Sequence, residues 1–449
     1  MEQRERAESA ARQAAAQLTA QDIRGVALTW VDNAGISRTK AVPTSRLAHT
    51  ARRGVGASPC FDTYLVDDSA VTSRYLGGPD GDLRLFPDLD RLTVLAAQPG
   101  WAWAPVDRYA QDGTPHVACQ RQFARRMTDA AAARGLRLRM GFETEWVVMQ
   151  SNGHEPPRYG CSGPAYGMTR VVELSDYLRD VLDALSAQKV EVLQIHPEYS
   201  PGQFEVSVAP SDPVGAADLS VLVRETVRAV SRRHGLDASF APVVEPGGVG
   251  NGAHLHLSLW RDERNLCRGG DGPFGMTDEC EAFLAGVLRE LPALLALGAP
   301  TPASYLRLEP SRWAGVYRCW GLEAREAALR FVTGAPDDTE AANAEVKCFD
   351  AAANPYLVTG AVVAAGLAGL DEGLRLPPPA AGDPALTGGQ ERLPTSLAEA
   401  LEHFRRSDLL RTALGDPLFE AIAAVRAGEV KLFEGLAPND VAAAIRRRY

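Results

Sequence analysis

The sequence predicts an α+β protein, with a small, mostly β N-terminal part and a larger remainder in which strands and helices alternate. Two β-like runs separated by a turn signal lie close to the N-terminus, and a dense turn follows near residue 110. Beyond that turn, stretches of helical composition are divided by short runs whose apolar residues repeat every second position.

Taken in order, residues 2–19 are rich in Ala, Gln and Arg and lack Gly and Pro, a composition of high helix propensity. Residues 25–31 and 37–42 read as strands joined across Asp32-Asn33-Ala34-Gly35, whose Asn and Gly are hairpin turn residues. A further β-like stretch, 83–97, carries Pro87 and ends before Gly100. Asp112-Gly113-Thr114-Pro115 marks the boundary, which divides the chain into domains at 20–110 and 115–449. Residues 120–135 then read as a helix stopped by glycine, and 174–188, 216–234, 278–297 and 357–370 as further helices. Helical pattern returns at 397–414 and 416–427, after a Pro- and Gly-rich connector spanning 377–379 and 382–389.

Composition narrows the function. At 449 residues, with 45% hydrophobic and 23% charged side chains, the chain is neither disordered, collagenous nor coiled-coil. Lys+Arg 47 against Asp+Glu 57 gives a net charge of −10, which argues against nucleic acid or a membrane surface as partner and suits a metal-loaded acidic cleft. Seven scattered cysteines form no CxxC pair, so neither a disulfide framework nor a thiolate zinc site is expected, and a cytoplasmic location is.

Chemistry concentrates on strand-like segments. In 138–149, Glu143 and Glu145 share one face, opposite Met140, Phe142, Thr144 and Trp146. Same-face neighbours lie about 7 Å apart along a strand, a spacing that lets two carboxylates serve two adjacent ions. Downstream, Gln203, Glu205 and Ser207 oppose Phe204, Val206 and Val208, with Glu198 in a turn just before them. His254, His256 and Ser258 likewise oppose three leucines. Arg307, Arg325 and Arg330 follow, and Glu345-Val346-Lys347 puts a carboxylate and a cation on one face. Any one of these alone would most simply be a solvated strand face. Four such strands in a curved antiparallel sheet would gather their polar faces into one cup. Its donors, mostly carboxylates with one or two imidazoles, favour Mg²⁺ or Mn²⁺ over zinc. The GxGxxA match at 248–253 precedes a strand rather than a helix, which removes the dinucleotide reading, and there is no P-loop or GxSxG elbow.

Over roughly residues 24–430 the ordered motifs resemble the glutamine synthetase family. They include Phe142-Glu143-Thr144-Glu145, Pro201-Gly202-Gln203-Phe204-Glu205, Arg232-Arg233-His234-Gly235-Leu236, His254-Leu255-His256-Leu257-Ser258-Leu259-Trp260, Ser304-Tyr305-Leu306-Arg307-Leu308, Trp320-Gly321 and Ala353-Asn354-Pro355-Tyr356-Leu357. The resemblance implies a β-grasp-like N-terminal domain, a catalytic domain built on a curved antiparallel sheet flanked by helices, and a homo-oligomeric ring, a dodecamer, with active sites between subunits. It assigns Glu145, Glu198 and Glu205 to one metal ion and Glu143, His254 and Glu345 to a second. His256 and Ser258 match positions near ATP, and Arg325 and Arg330 match catalytic positions facing the transferred phosphate. Arg307, Lys347 and Gly250 correspond to positions around the amino-acid substrate. The implied chemistry is conversion of a carboxylate to an acyl phosphate by ATP, followed by attack of an amine.

The sequence departs from that pattern where the amine enters. Trp313 stands at the flap position where ammonium-using members carry a glutamate, and an indole accepts no proton. The ammonium-binding aspartate loop is not recognisable in 54–62, with Asp62 its nearest substitute. An aromatic lid suits an amine with a carbon body, held by apolar contact or cation–π attraction. Val249 and Lys347 replace an asparagine and an arginine near the acid, Asn343 replaces a nucleotide-side arginine, and a tyrosine modification segment is not evident between 374 and 394. The leading expectation is therefore an ATP-dependent ligase forming γ-glutamyl amides from glutamate and a polyamine, alkylamine or amino alcohol. Ammonium-dependent glutamine synthesis, ligation of a different acid, and non-catalytic binding stay open as alternatives.

Overall fold

The computed structural model describes every residue except Met1, Asn152, His154 and Pro336. Helix Glu2–Ala20 forms as its composition requires, and its Ala11 and Leu18 share an apolar cluster with Val26, Leu28 and Leu85 of the first sheet. That sheet contains β1 (Gly25–Val31), β2 (Ser37–Pro43), β3 (Val55–Ala57), β4 (Leu83–Pro87), β5 (Thr93–Val94) and β6 (Trp101–Ala110). Its order is β2-β1-β6-β4-β3, with β5 on β6 and a parallel β1–β6 pair at its centre. The β-like stretch 83–97 is interrupted after Pro87, because the Asp88 side chain accepts from the Asp90 N–H and closes a short 3₁₀ turn.

The second sheet contains β7 (Arg137–Gln150), β8 (Val192–Pro197), β9 (Gln203–Val208), β10 (Leu236–Ser239), β11 (Leu255–Arg261), β12 (Arg264–Asn265), β13 (Tyr317–Leu322), β14 (Ala327–Val332) and β15 (Asn343–Val346). Its order is β13-β14-β15-β11-β7-β9-β8, with β10 on β7 and β12 on β11. All pairs are antiparallel except β13–β14, so the sheet expected to be antiparallel is mixed at one edge. Met140, Phe142 and Trp146 of β7 and Leu255, Leu257 and Leu259 of β11 are buried in the large core. Helices Gln120–Ala132 and Pro213–Arg233 pack on β7.

Helix Pro355–Glu372 is apolar nearly all round because it runs between helices Gln120–Ala132, Pro213–Arg233 and Asp278–Gly298. Asn354 caps it, accepting from the Tyr356 and Leu357 N–H groups, and Gly373 ends it at φ 62°. Its Asn354 Nδ2 also donates to the carbonyls of Val31 and Asp32.

The 32–35 turn lies in the interior, since Asp32 and Asn33 are fully buried and Arg426 and Tyr449 donate to the carbonyls of Asn33 and Ala34. Gly35 is required there, at φ 84°, because a Cβ would fall 1.8 Å from the Ala352 carbonyl oxygen. Near the C-terminus the pattern at 397–414 divides into helices Leu397–Arg406 and Asp408–Leu414. Ser407 lies between them and accepts from the Leu410 N–H. The last long helix extends to Leu432, and the 382–389 connector contains one helical turn, Pro384–Thr387.

Candidate active site

Strand register, rather than nearness in sequence, assembles the site. Glu145 of β7 faces Glu205 of β9, and Glu205 in turn faces His196 of β8. On the other side of β7, the Glu143 N–H donates to the His254 carbonyl, which sets His254 beside Glu143 at the start of β11. Further across, His256 faces Glu345 of β15 and Glu345 faces Arg330 of β14. Apolar alternate residues turn to the core, and the charged ones therefore line a single cavity of about 1240 Å³.

Glu143, Glu145, Glu198, Glu205, His254, Glu345, Arg307, Arg325, Arg330, Lys347, Gly250 and Trp313 all line this cavity. His256 and Ser258 do not. His256 lies just outside the lining, with Nε2 3.1 Å from Glu143 Oε1 and Nδ1 2.8 Å from Asn343 Oδ1. Ser258 is buried farther along β11, where its hydroxyl accepts from the Trp260 indole N–H, and Arg139 lies over that indole. Asp62 is also outside the cavity. It is fully buried and satisfied where the two parts of the chain meet, 2.8 Å from Arg108 Nη2 and 2.9 Å from His116 Nε2.

The acidic groups form overlapping triads with ligand atoms within 4.8 Å of one another: Glu143–His254–Glu345, Glu145–Glu205–His254 and His196–Glu198–Glu205. His254 Nδ1 is 3.0 Å from Glu143 Oε2 and 3.2 Å from Glu345 Oε1, while its Nε2 faces Glu145 Oε1 at 3.7 Å. Lys347 Nζ and Arg330 Nη1 lie on the two oxygens of Glu345, at 3.0 and 3.1 Å. Gln203 Nε2 and the Gly252 N–H both donate to Glu145 Oε2 at 2.9 Å. Such outer contacts orient carboxylates for a cation. Oxygen-rich triads with a single imidazole are the donor chemistry of Mg²⁺ or Mn²⁺, so these residues fit the implied ions.

The electrostatics divide the cup in two. Burial raises Glu145, Glu198 and Glu205; the charge of Glu205 adds to the rise at Glu198, and that of Glu198 to the rise at Glu145. A divalent cation would relieve this crowding. At Glu143 burial is outweighed by the His254 and His256 imidazoles, and at Glu345 by His254 and Lys347, so both carboxyls lie below the usual range. Against burial and the charge of Lys347, hydrogen bonds to Glu143 and Glu345 raise His254 to about 9.

Arg307 is buried beside the acidic groups, with Nη2 3.3 Å from His254 Nε2 and donating to the Lys347 carbonyl at 3.1 Å. Its Nη1 has no hydrogen-bond partner among the described residues. At Gly250 a Cβ would fall 2.1 Å from the Pro242 carbonyl oxygen and 3.0 Å from Arg307 Cγ, so glycine lets this loop close over the arginine. Trp313 is 54% exposed at the cavity wall, and the Arg325 guanidinium lies 5.7 Å from its ring centroid.

Sequence reasoning gave no role to His196 or Gln203. His196 Nε2 lies 3.3 Å from Glu205 Oε1, and that hydrogen bond raises the imidazole to about 9. Its position two residues before Glu198 was a readable signal, but the hairpin register that brings it onto Glu205 was not.

The comparisons agree with this geometry. Residues 117–442 match the family described as "Glutamine synthetase, catalytic domain". The chain is 57% identical to the gamma-glutamylpolyamine synthetase GlnA3 of Streptomyces coelicolor, over 96% of this chain and 95% of that one. Among solved structures, a novel glutamine synthase homolog superposes with a TM-score of 0.86 at 33% identity, covering 95% of this chain and 99% of that one. A GmaS–ADP complex superposes at 0.82 with 26% identity, covering 94% and 96%. The fold, a mixed sheet flanked by helices, is that of an enzyme. The chain belongs to the glutamine synthetase family.

Proposed function

We infer that this protein is an ATP-dependent ligase joining the γ-carboxyl of glutamate to an organic amine of the polyamine class. One observation carries the reading. An acidic cup with Arg307 beside it is walled by an indole, Trp313, where a proton-accepting carboxylate would serve ammonium. The 57% identity to a gamma-glutamylpolyamine synthetase supports the same substrate class, and the ADP in the GmaS complex supports ATP as co-substrate.

Glu143, His254 and Glu345 would hold one Mg²⁺ or Mn²⁺, and Glu145, Glu198 and Glu205 another. When bound, such ions neutralise phosphate oxygens and make the phosphoryl group a better electrophile. Arg307 supplies a free guanidinium N–H at Nη1 for the substrate's α-carboxylate, and Lys347 adds positive charge beside it. Lys347 carries less directional information than an arginine fork. Arg325 and Arg330 supply positive charge where the phosphoryl group transfers. His256 and Ser258 lie towards the ATP end of β11. At the opposite lip Trp313 gives the amine's carbon chain an apolar and cation-attracting wall. The amine must lose a proton before it attacks, and the negative charge around the cup draws its ammonium form to the site.

The reading extends to the whole chain. Residues 20–110 form the N-terminal domain and 115–449 the catalytic one. β8 is an edge strand beside the cup, and Leu193 on it is exposed together with nearby Met168 and Val172. An apolar sheet edge of this kind suits a second copy of the chain, in keeping with a homo-oligomeric ring. Light scattering would then give a mass many times the 48.1 kDa chain. No helix among the described residues is long and apolar enough to cross a membrane, and glutamate and ATP as substrates support a cytoplasmic site of action.

The deciding experiment incubates purified protein with glutamate, ATP and Mg²⁺ against a panel of polyamines, alkylamines, amino alcohols and ammonium. Phosphate release and a product mass of glutamate plus amine minus water are expected with polyamines. Turnover with ammonium alone would overturn the reading.

A further inference from the structure

The loop that carries Trp313 is bent in a way its own residues do not favour. Ser311 and Trp313 both have positive φ, 58° and 55°, a region that residues with a Cβ rarely adopt. Something outside the loop must hold it. Glu326 is buried behind it, in the connection between β13 and β14, and its Oε1 accepts from the Trp313 N–H at 2.8 Å. Its other oxygen, Oε2, is buried with no hydrogen-bond partner among the described residues. Glu326 does not line the cavity, although its neighbour Arg325 does, with a guanidinium over the Trp313 ring. Two further contacts fix the loop from its sides. The Ser311 hydroxyl donates to Asp383 Oδ2 at 2.8 Å, and Arg312 Nη1 donates to the Gly247 carbonyl on the facing lip at 2.8 Å.

We propose that Glu326 is the positioning residue for amine specificity: its carboxylate clasps the backbone of the Trp313 loop in this strained bend and so holds the indole as a wall of the amine entrance. The proposal rests on the reading of the cavity as an amine ligase site and adds the device that sets its selectivity. A backbone N–H donating to a buried carboxylate is a strong contact, and nothing within the loop replaces it. Once released, the loop relaxes towards negative φ and the indole leaves the wall. Glutamate and ATP bind to other parts of the cup, so their affinities should change little.

The test compares Glu326→Ala with Glu326→Gln, whose amide oxygen still accepts from the Trp313 N–H. In Glu326→Ala the KM for the polyamine should rise about tenfold, the effect of losing one charge-assisted hydrogen bond. The KM values for glutamate and ATP should stay within about twofold, and Glu326→Gln should restore the amine KM. Equal increases for all three substrates, or an unchanged amine KM in Glu326→Ala, would overturn the proposal. Hydrogen–deuterium exchange across 308–315 decides the clasp independently of turnover. Faster exchange in Glu326→Ala that Glu326→Gln reverses supports it, even if the wild-type enzyme proves to use ammonium and the wider reading fails. Unchanged exchange overturns it.

Discussion

Gln203 Nε2 lies within 3.0 Å of Glu145 Oε2, the Gly250 carbonyl and Asn251 Oδ1, so one amide ties a cup carboxylate to the loop over Arg307. Replacing it with leucine keeps the volume and removes the donor. Gln203→Leu should weaken Mn²⁺ activation by roughly 10–100-fold with little change in fold, read from the metal dependence of turnover and from circular dichroism. Trp313 poses the complementary question at the other lip. Trp313→Glu should raise turnover with ammonium and raise the polyamine KM about tenfold, the worth of one desolvated cation–π or apolar contact. If the ammonium rate does not move, Trp313 packs the lip without selecting the amine. The cup carboxylates Glu143, Glu145 and Glu205 were legible because carboxylates on alternate strand positions are a local pattern. His196 and Glu326 were not, since each acquires its role from a residue on another element.

Elements repeat this division. β7, β9 and β11 were readable from a two-residue period, because one face of each is buried in the core and the other carries polar side chains, which reach the cavity at Glu143, Glu145 and Glu205. β8 was not, since a register irregularity between Val192 and Gln194 breaks its alternation and Leu193 points outward. Helix Pro355–Glu372 shows what close approach demands. A Cβ at Gly369 would fall 2.2 Å from the Ala282 carbonyl oxygen, and one at Gly286 would fall 2.3 Å from that of Ala365. The two helices therefore meet backbone to backbone at this crossing. Gly369→Val should destabilise the protein by about 3 kcal/mol through forced separation of the helices, measured as a lowered urea midpoint. An unchanged midpoint would mean that the helices can slide apart freely.

For the whole molecule, the C-terminal helices hold the N-terminal sheet in place. Glu429 Oε1 accepts from the Val66 N–H at 2.7 Å, and Arg426 donates to the Asn33 carbonyl. Burial raises the Glu429 carboxyl to about 7, with Arg426 and the Val66 N–H opposing and Asp32 and Asp67 adding to the rise. Its unfolded value is about 4.3. Between these values the folded state binds the extra proton, so stability contributed here is present at acidic pH and is lost as pH rises through 7. Relative to wild type, Glu429→Gln should therefore gain stability between pH 5 and pH 8, on the order of 3 kcal/mol. Urea unfolding at both pH values and one protein concentration checks the sign. A parallel pH dependence in the two proteins would remove Glu429 as its source.

The sequence by itself determined the class of chemistry: a carboxylate-rich donor set on alternating strands, arginines in the second half, and an indole in place of an acid at the flap. The carboxylates form a local pattern that backbone alternation turns into strand faces, whereas the meaning of the indole, which lies on a loop, came from the family resemblance. Only the tertiary structure decided which carboxylates share an imidazole, that His256 and Ser258 lie beyond the cavity lining, that Asp62 is used inside the fold, and that Glu326 holds the Trp313 loop. The shared imidazole and the place of His256 depend on register between strands far apart in the chain, and those of Asp62 and Glu326 on packing between turns and neighbouring elements; both are fixed by burying every apolar face at once, a condition no single segment contains.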